Sequence, residues 1–232
     1  STRLRDILDS AEQNDRVKAV VLEINSPGGS GVASQEIAQA VDEFEKPIVA
    51  QIREVGASGS YWVASATNHI VANPLSLVGS IGVYGSYLEF SGLLDDYNVT
   101  YQRFVAGDDK DFGSPFREPT QQEAEEFQVI LDEMHRIFIE DVAEGRSMDV
   151  AAIKAVADGS IYTASQAKNF GLIDQIGNQD TVKGYLEEQL GENVTFSRHS
   201  QAPGLFSSLR AKADHSLLIE ELFFSDVPMV KT

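Results

Sequence analysis

Residues 17–31, VKAVVLEINSPGGSG, are the stretch that decides the fold class of this chain. They begin with a largely apolar run rich in valine and isoleucine, which is typical of a parallel strand buried on both faces. A proline and several glycines then end the strand. From Val32 onward apolar residues recur at helical steps, at Ile37, Val41 and Phe44. A buried strand, a glycine turn and a helix in this order indicate an α/β fold.

The same alternation continues through the first half of the chain. After Pro47, residues 48–54 (IVAQIRE) predict a second strand, and the small residues over roughly 56–66 predict a helix. Further short strands are predicted around 69–72, 80–84 and 99–105. We therefore expect strands and helices packed in layers.

The second half is predicted to be mainly helical. A polar loop occupies 108–119, and Thr120 with Glu123 has the spacing of a capping box, in which each side chain bonds the backbone N–H of the other residue. This predicts a long helix over 120–144. Shorter helices are predicted over 149–157, 163–169 and 180–190.

A C-terminal extension is predicted after a main domain of residues 1–198. Within the extension, 199–232, the stretch SQAPG is typical of a linker, and LLIEELFF (217–224) predicts an apolar helix. Such a helix packs on its own domain or on a neighbouring subunit, or it binds a partner or the active-site groove. The sequence leaves these alternatives open.

The composition excludes several classes of function. The chain has 18 basic and 36 acidic residues and a net charge of −18, which argues against nucleic acid and against anionic lipid as partners. This acidity fits a high-salt environment or an ordinary acidic protein equally well. The lack of cysteine excludes thiol catalysis and disulfides. The sequence contains no metal-binding or nucleotide-binding motif, so neither metal nor cofactor is expected.

The sequence contains no membrane span. A bilayer span needs about 18 or more consecutive apolar residues, and no stretch of the chain approaches that length. The first residues, STRLRDILDS, do not have the character of a signal peptide. Any membrane anchor is expected in a segment outside this sequence.

The glycine turn Asn25–Ser30 is the first candidate functional element. Successive glycines before a helix allow backbone N–H groups to face a cavity. The turn lacks the spacing of a dinucleotide or Walker loop. It fits an oxyanion as well as a phosphate, and an ordinary strand-to-helix turn remains the alternative.

Ser58, in GASGS (56–60), is the candidate nucleophile. It opens the helix after the second strand, and two such turns lie side by side in a parallel sheet. The N–H groups of Gly29 and Gly59 are then placed to bind the oxygen of a carbonyl that Ser58 attacks. The alternative is a small serine that only packs.

A serine hydroxyl needs a base. None of the four histidines lies in a glycine-rich or acidic loop typical of a triad base. Lys110 is the other candidate, because a desolvated lysine can act as a base. Its neighbours Asp108, Asp109 and Asp111 favour the charged ammonium, so a solvated loop lysine remains the alternative.

Five motifs in order resemble the signal peptide peptidase A family, the protease IV type of serine peptidase. The resemblance runs from Val17 to Leu190 and covers most of the chain. The motifs are NSPGGS (25–30), GASGSYWVAS (56–65), VGSIGVYG (78–85), KDFGSPFREPTQQE (110–123) and DGSIYTASQAKNFGLIDQIG (158–177). The resemblance implies the Clp-protease/crotonase-like fold, a superhelix of repeated ββα units.

The resemblance also implies roles for individual residues. Ser58 and Lys110 correspond to a catalytic dyad of nucleophile and general base, 52 residues apart. Ser80 corresponds to a serine that orients the lysine. The backbone N–H groups of Gly29 and Gly59 correspond to the oxyanion hole.

The family implies a substrate and a location for this chain. Its members degrade signal peptides that stay in the membrane after secretion, so we expect a membrane-anchored catalytic domain on the extracytoplasmic side. Short members form homo-oligomers, in which the lysine can act within one chain or between chains. The alternatives are a crotonase-like enzyme for acyl-CoA substrates and a non-catalytic scaffold.

Three positions depart from the family pattern. Ser60 stands where glycine is common, which is tolerable if its side chain points away from the site. Ser160 and Ala164 replace an arginine and a glycine in the last motif, with an expected effect on packing rather than on chemistry. The anchor and the apolar first strand that usually begin the family's chains are also not visible.

Overall fold

The computed structural model describes residues 2–199 and 227–231. It divides into two compact units. The second unit comprises residues 82–137, and the first comprises the described residues before and after it. Each unit is described below by itself.

The elements alternate between helix and strand, as an α/β protein requires. In chain order they are α1 (Thr2–Glu12), β1 (Val17–Ser26), α2 (Gly31–Asp42), β2 (Ile48–Ala57), α3 (Gly59–Ser65), β3 (His69–Ala72), β4 (Leu77–Gly79), α4 (Ser91–Asp96), α5 (Gln121–Gly145), α6 (Val150–Lys154), β5 (Ile161–Thr163), α7 (Ala164–Asn169), β6 (Gln175–Ile176), α8 (Gln179–Leu190), β7 (Thr195–His199) and β8 (Val227–Lys231).

The strands of the first unit form one mixed sheet. Its order is β5-β4-β2-β1-β8-β7, with β3 pairing β2 and β6 pairing β3. β1 and β2 are parallel, with Val20 opposite Ile48. β2 shares its other edge between two strands, since Val49–Ile52 pair with β3 and Val55–Ala57 pair with β4. The carboxyl ends of β1, β2 and β4 therefore lie side by side.

The core of the first unit lies around β1, β2 and β3. Val20, Val49 and Ile70 have no exposed surface, in keeping with strands covered on both faces. Burying such a side chain contributes about 1.5–3 kcal/mol relative to leaving it exposed. The apolar run in the sequence is thus the centre of the sheet.

Several predicted elements are confirmed. β1, β3, α7 and α8 match their predicted ranges within one or two residues, and Ile37 and Val41 of α2 are buried as its periodicity indicated. α5 spans Gln121–Gly145, which agrees with the predicted range of 120–144 to within one residue at each end. Its capping box is formed, because the Glu123 carboxylate accepts from the Thr120 N–H (2.7 Å) and the Thr120 hydroxyl accepts from the Glu123 N–H (3.1 Å).

Three predicted elements are wrong in position or type. The helix predicted from 56 begins at Gly59, because β2 continues to Ala57 to pair with β4. The strand predicted at 80–84 lies too late in the sequence, because β4 spans Leu77–Gly79. The strand predicted at 99–105 is not formed. That stretch lies in the second unit, whose residues 82–137 contain no strand with which it could pair.

The C-terminal strands were not predicted. β8 pairs antiparallel with β7, and on its other side with β1, where Val20 lies opposite Met229. The helix predicted at 217–224 lies outside the described residues. The predicted domain boundary after residue 198 falls inside β7, and the proposed division of the chain there stays a prediction.

The second unit has almost no interior of its own. Among residues 82–137, the single buried residue is Glu123, and no apolar residue of this range is buried. Large side chains are instead exposed, among them Tyr84, Leu88, Tyr97 and Phe104. A polar network, described below, takes the place of an apolar core.

Candidate active site

Ser58 occupies a strained turn between β2 and α3. Its φ of 52° and ψ of −128° are unusual for a residue with a side chain, and such a conformation costs of order 1–3 kcal/mol. The turn is held by the Ser58 N–H, which donates to the Gly79 carbonyl (2.8 Å), and by the Ser58 carbonyl, which accepts from Tyr61 (2.9 Å) and Trp62 (3.0 Å). The surrounding structure therefore fixes the candidate nucleophile in place.

The helix behind Ser58 is anchored in the core. The Tyr61 hydroxyl donates to the Leu172 carbonyl (2.8 Å), and burial raises the pKa of Tyr61. The Trp62 ring stacks on Phe138 with centroids 4.3 Å apart, and its N–H donates to the Asp141 carboxylate (3.1 Å). These contacts immobilise α3 and the turn that precedes it.

The glycine turn after β1 packs directly on the Ser58 turn. Gly28 has a φ of 104°, and a Cβ at this residue would lie 2.7 Å from the Gly59 nitrogen and 2.8 Å from the Ser58 Cβ. Real Cβ atoms do not approach other atoms so closely, so any other residue here would be strained and would push the two turns apart. The predicted adjacency of the two turns is confirmed by this contact.

Gly29 and Gly59 bring two backbone N–H groups close to Ser58. A Cβ built on Gly59 would lie 3.4 Å from the Gly29 nitrogen. Neither N–H donates to any residue in the part of the chain that the structure describes. Such groups are costly to leave unpaired away from water. Paired backbone N–H groups can bind an oxygen acceptor, and the oxyanion-hole role of Gly29 and Gly59 stays a prediction.

The hydroxyl of Ser60 links the ends of β1 and β2. It donates to the Ser26 carbonyl (2.7 Å) and accepts from the Ala57 N–H (2.8 Å). The side chain is thus committed to the backbone of the two turns. This accounts for a serine at a position where the family commonly has glycine.

Ser80 occupies the position on β4 that Ser58 occupies on β2. Each serine follows a strand end, Gly79 and Ala57 respectively, and these two residues are paired in the sheet. Both serines have a φ of 52°, and the Ser80 N–H donates to the Ser160 carbonyl (2.7 Å). Ser80 therefore lies beside Ser58 in the same unit, and its role in orienting a lysine stays a prediction.

Lys110 belongs to the second unit. It is exposed on a turn closed by its own N–H, which donates to the Gly107 carbonyl (3.1 Å). Within the described residues its ammonium has no hydrogen-bond or ion-pair partner. The pairing of Lys110 with Ser58 stays a prediction.

The residue after Lys110 is held by two arginines. The Asp111 carboxylate accepts two hydrogen bonds from Arg103, both 2.7 Å, and two from Arg117, at 2.9 and 3.1 Å. Arg103 and then Arg117 hold the pKa of Asp111 far below its usual range. Asp111 is therefore an ionised and fully paired carboxylate.

Arg117 connects this turn to the start of α5. Its guanidinium also bonds both oxygens of Glu123, one at 2.8 Å, and these bonds lower the pKa of Glu123 to about 2. The sequence predicts Glu123 as a helix cap, but it does not predict either arginine as part of a site. The signal available was weak, since isolated charges in a polar loop give no periodic pattern.

His69 lies far from Ser58 along the sheet. It begins β3 and lies opposite Val49, near the start of β2, whereas Ser58 follows the end of that strand. Eight residues of strand correspond to about 26 Å. His69 stacks on Tyr185 at 3.8 Å, and burial lowers its pKa. Its position excludes it as the base for Ser58.

Comparison with known families shows to which family the chain belongs. Residues 40–193 match peptidase family S49, which is well over half of the chain. The chain belongs to this family, and its class is that of the peptidases. The matched range includes the Ser58 turn and the Lys110 turn.

Three relatives have names that designate a protease or a peptidase. A protease of Methanocaldococcus jannaschii is 38% identical over 185 residues, covering 79% of this chain and 60% of its own. A protein of Enterococcus faecium with the designation signal peptide peptidase SppA is 34% identical over 239 residues, covering 95% of this chain and 70% of its own. Protease 4 of Haemophilus influenzae is 30% identical over 191 residues, covering 80% of this chain and 31% of its own.

The chain is shorter than these relatives, and it spans less than two thirds of the first and third of them. In the part of the chain that the structure describes, no helix has the length and apolar character needed to cross a bilayer.

Proposed function

We propose that the chain is a serine endopeptidase in which Ser58 is the nucleophile and Lys110 the general base. The observation that carries the proposal is the strained Ser58 turn, packed against two backbone N–H groups that lack an acceptor in the described chain. A nucleophile beside a preformed oxyanion site is what acyl transfer requires. Membership of a peptidase family supports the same reaction.

The proposed reaction has two stages. Neutral Lys110 removes the Ser58 proton as the hydroxyl oxygen attacks a peptide carbonyl, and the N–H groups of Gly29 and Gly59 bind the oxyanion. The C–N bond then breaks, and Lys110 gives its proton to the leaving amine. Water, deprotonated by Lys110, attacks the acyl-enzyme, and the proton returns to Ser58 as the acid leaves.

The general-base role requires that Lys110 be shielded from water, because desolvation favours the neutral amine. In the isolated chain Lys110 is exposed. The large apolar side chains exposed in the same unit, such as Phe104 (92%) and Tyr84 (88%), also need a cover. We propose that a homo-oligomer covers them, with Lys110 acting within one chain or between chains.

The proposed substrates are signal peptides left in the membrane after secretion, with small and apolar side chains at the cleavage site. The designation of the Enterococcus faecium relative supports this substrate class. It implies a membrane-attached protein with an extracytoplasmic catalytic domain. For the fold we propose the Clp-protease/crotonase-like superhelix, which the parallel β1–β2–β4 arrangement supports.

Hydrolysis of a fluorogenic peptide tests the proposed reaction. We expect Lys110→Ala to reduce kcat/KM by about 10²–10⁴-fold, the usual range for a general base, and Ser58→Ala, which removes the nucleophile, to reduce it by about 10⁶-fold. Lys183→Ala, at an exposed pair with Glu187, is the matched control and should leave kcat/KM unchanged. A fluorophosphonate probe should label Ser58 in the wild type and should fail to label it in Lys110→Ala. Full turnover by Ser58→Ala would refute the proposal.

A further inference from the structure

The turn that carries Lys110 is held by a charged network. Arg103 and Arg117 both bind the Asp111 carboxylate, and Arg117 also binds Glu123. We propose that Arg103 and Arg117 are positioning residues for the general base, because they fix the backbone on both sides of Lys110 and cancel the charge of Asp111 beside it. This inference rests on the proposed function of Lys110.

Both arginines also donate to backbone carbonyls beside Lys110. Arg103 donates to the Asp108 carbonyl, two residues before Lys110 (3.0 Å), and Arg117 donates to the Asp111 carbonyl, one residue after it (3.3 Å). The arginines therefore bind the main chain on either side of the lysine as well as the carboxylate next to it. Arginine suits this role because its rigid fork holds several acceptors at once.

Glu123 connects the charged network to the start of α5. Glu123 is the buried residue of the second unit, and its side chain is only 6% exposed. It binds Arg117 and also accepts from the Thr120 N–H at the start of α5. The first turn of the 25-residue helix α5 thus holds Arg117 in place, and Arg117 in turn holds the Lys110 turn.

The network also changes the charge near Lys110. The charged groups around the turn in the second unit are Arg103, Arg117, Glu123, Asp108, Asp109 and Asp111. The two arginines balance Asp111 and Glu123, whereas Asp108 and Asp109 stay unbalanced. The side chains of Asp111 and Arg117 are 17% and 20% exposed, so water screens them only in part. Without the arginines, Asp111 would add negative charge beside Lys110 and favour its protonated form.

Two variants of opposite charge effect test the proposal. Arg103→Gln leaves Asp111 with one arginine, so we expect the acid limb of the pH profile of kcat/KM to move to higher pH by about half a unit to one unit. At high pH the charge effect disappears, and the activity still missing in Arg103→Gln measures the loss of its bond to the Asp108 carbonyl. Asp111→Asn leaves both arginines without their shared carboxylate, so the limb should move to lower pH.

Controls separate charge from fold. Arg103→Lys keeps the charge and should keep the limb at its wild-type position. Arg5→Gln makes the same change of net charge at an exposed pair with Glu43 and should not move the limb. The proposal is overturned if Arg5→Gln moves the limb as far as Arg103→Gln does, or if neither Arg103→Gln nor Asp111→Asn moves the limb.

A second readout does not depend on peptidase activity. In a Ser58→Ala background, the rate of Lys110 acetylation by acetic anhydride is followed across pH by mass spectrometry, with Arg103→Gln or Asp111→Asn added. Opposite movements of this acetylation profile support the positioning role even if the activity tests refute the Ser/Lys dyad. An unmoved profile refutes the positioning role even if Ser58 and Lys110 prove essential.

Discussion

The two units of this chain are ordered by different forces. The first unit buries a continuous apolar sheet, in which Val20, Val49 and Ile70 have no exposed surface. The second unit, residues 82–137, buries a single glutamate and exposes its aromatic side chains. Apolar burial is non-directional, whereas an arginine–carboxylate network has one geometry. Apolar packing in the first unit thus holds the Ser58 turn in place. In the second unit, the arginine–carboxylate network holds the turn that carries Lys110.

A core truncation provides the largest test of this contrast. Ile70→Ala removes a fully buried side chain from β3, and we expect it to lower the free energy of unfolding by about 2–5 kcal/mol. Phe104→Ala removes a ring that is 92% exposed in the isolated chain and should change that free energy by less than about 0.5 kcal/mol. Urea denaturation measures both.

Phe104→Ala also tests the proposed oligomer. Because a subunit contact would cover the ring, we expect the variant to dissociate at higher protein concentration than wild type, as measured by light scattering. A loss of unfolding free energy in Phe104→Ala as large as that in Ile70→Ala would mean that the second unit has an apolar core after all.

Contact between the two glycine turns offers an intermediate test. Gly28→Ala places a methyl group 2.7 Å from the Gly59 nitrogen at a φ of 104°, so we expect a loss of about 1–3 kcal/mol in the free energy of unfolding and a fall in kcat with little change in KM. Gly31→Ala, whose Cβ meets nothing within 4 Å, is the matched control. Equal behaviour of the two variants in thermal unfolding and peptide hydrolysis would argue against a packed site.

The smallest expected effect is that of acid on the second unit, where protonation of Glu123 should weaken the contacts of that residue alone. The pKa of Glu123 falls from 4.5 to about 2 on folding. A depressed carboxylate pKa stabilises the folded state above the unfolded value and loses that contribution as pH falls through the folded value. We therefore expect the order around Glu123 to weaken between pH 4.5 and 2. Carboxylate NMR titration of Glu123 measures this, and a midpoint near 4.5 would contradict it.

The elements that could be predicted from the sequence are those with strong local signals. The apolar run of β1, the periodicity of α2 and the capping box of α5 each predict their element, because pattern and hydrogen bonding are local. The strand predicted over 99–105 failed for the opposite reason. Its apolar and β-branched residues are a local signal, but a strand also needs a partner edge, and residues 82–137 provide none.

The candidate site was predictable in part for the same reason. Ser58 and its glycine neighbours follow strand ends, so the parallel sheet brings them together wherever the strands pair in register. The arginines of the Lys110 turn were not predictable. Arg103 and Arg117 lie 14 residues apart in polar sequence, and only the folded loop brings both to one carboxylate.

The sequence by itself determined that this is an α/β protein with a glycine turn and a serine turn after neighbouring strands, and it determined the resemblance to a peptidase family. The tertiary structure alone decided that Gly28 touches the Ser58 turn, that two N–H groups next to it lack an acceptor in the described chain, and that Asp111 is neutralised by two arginines. Local patterns depend on neighbours in the chain, whereas these contacts depend on which distant residues the fold places within a few ångströms of each other.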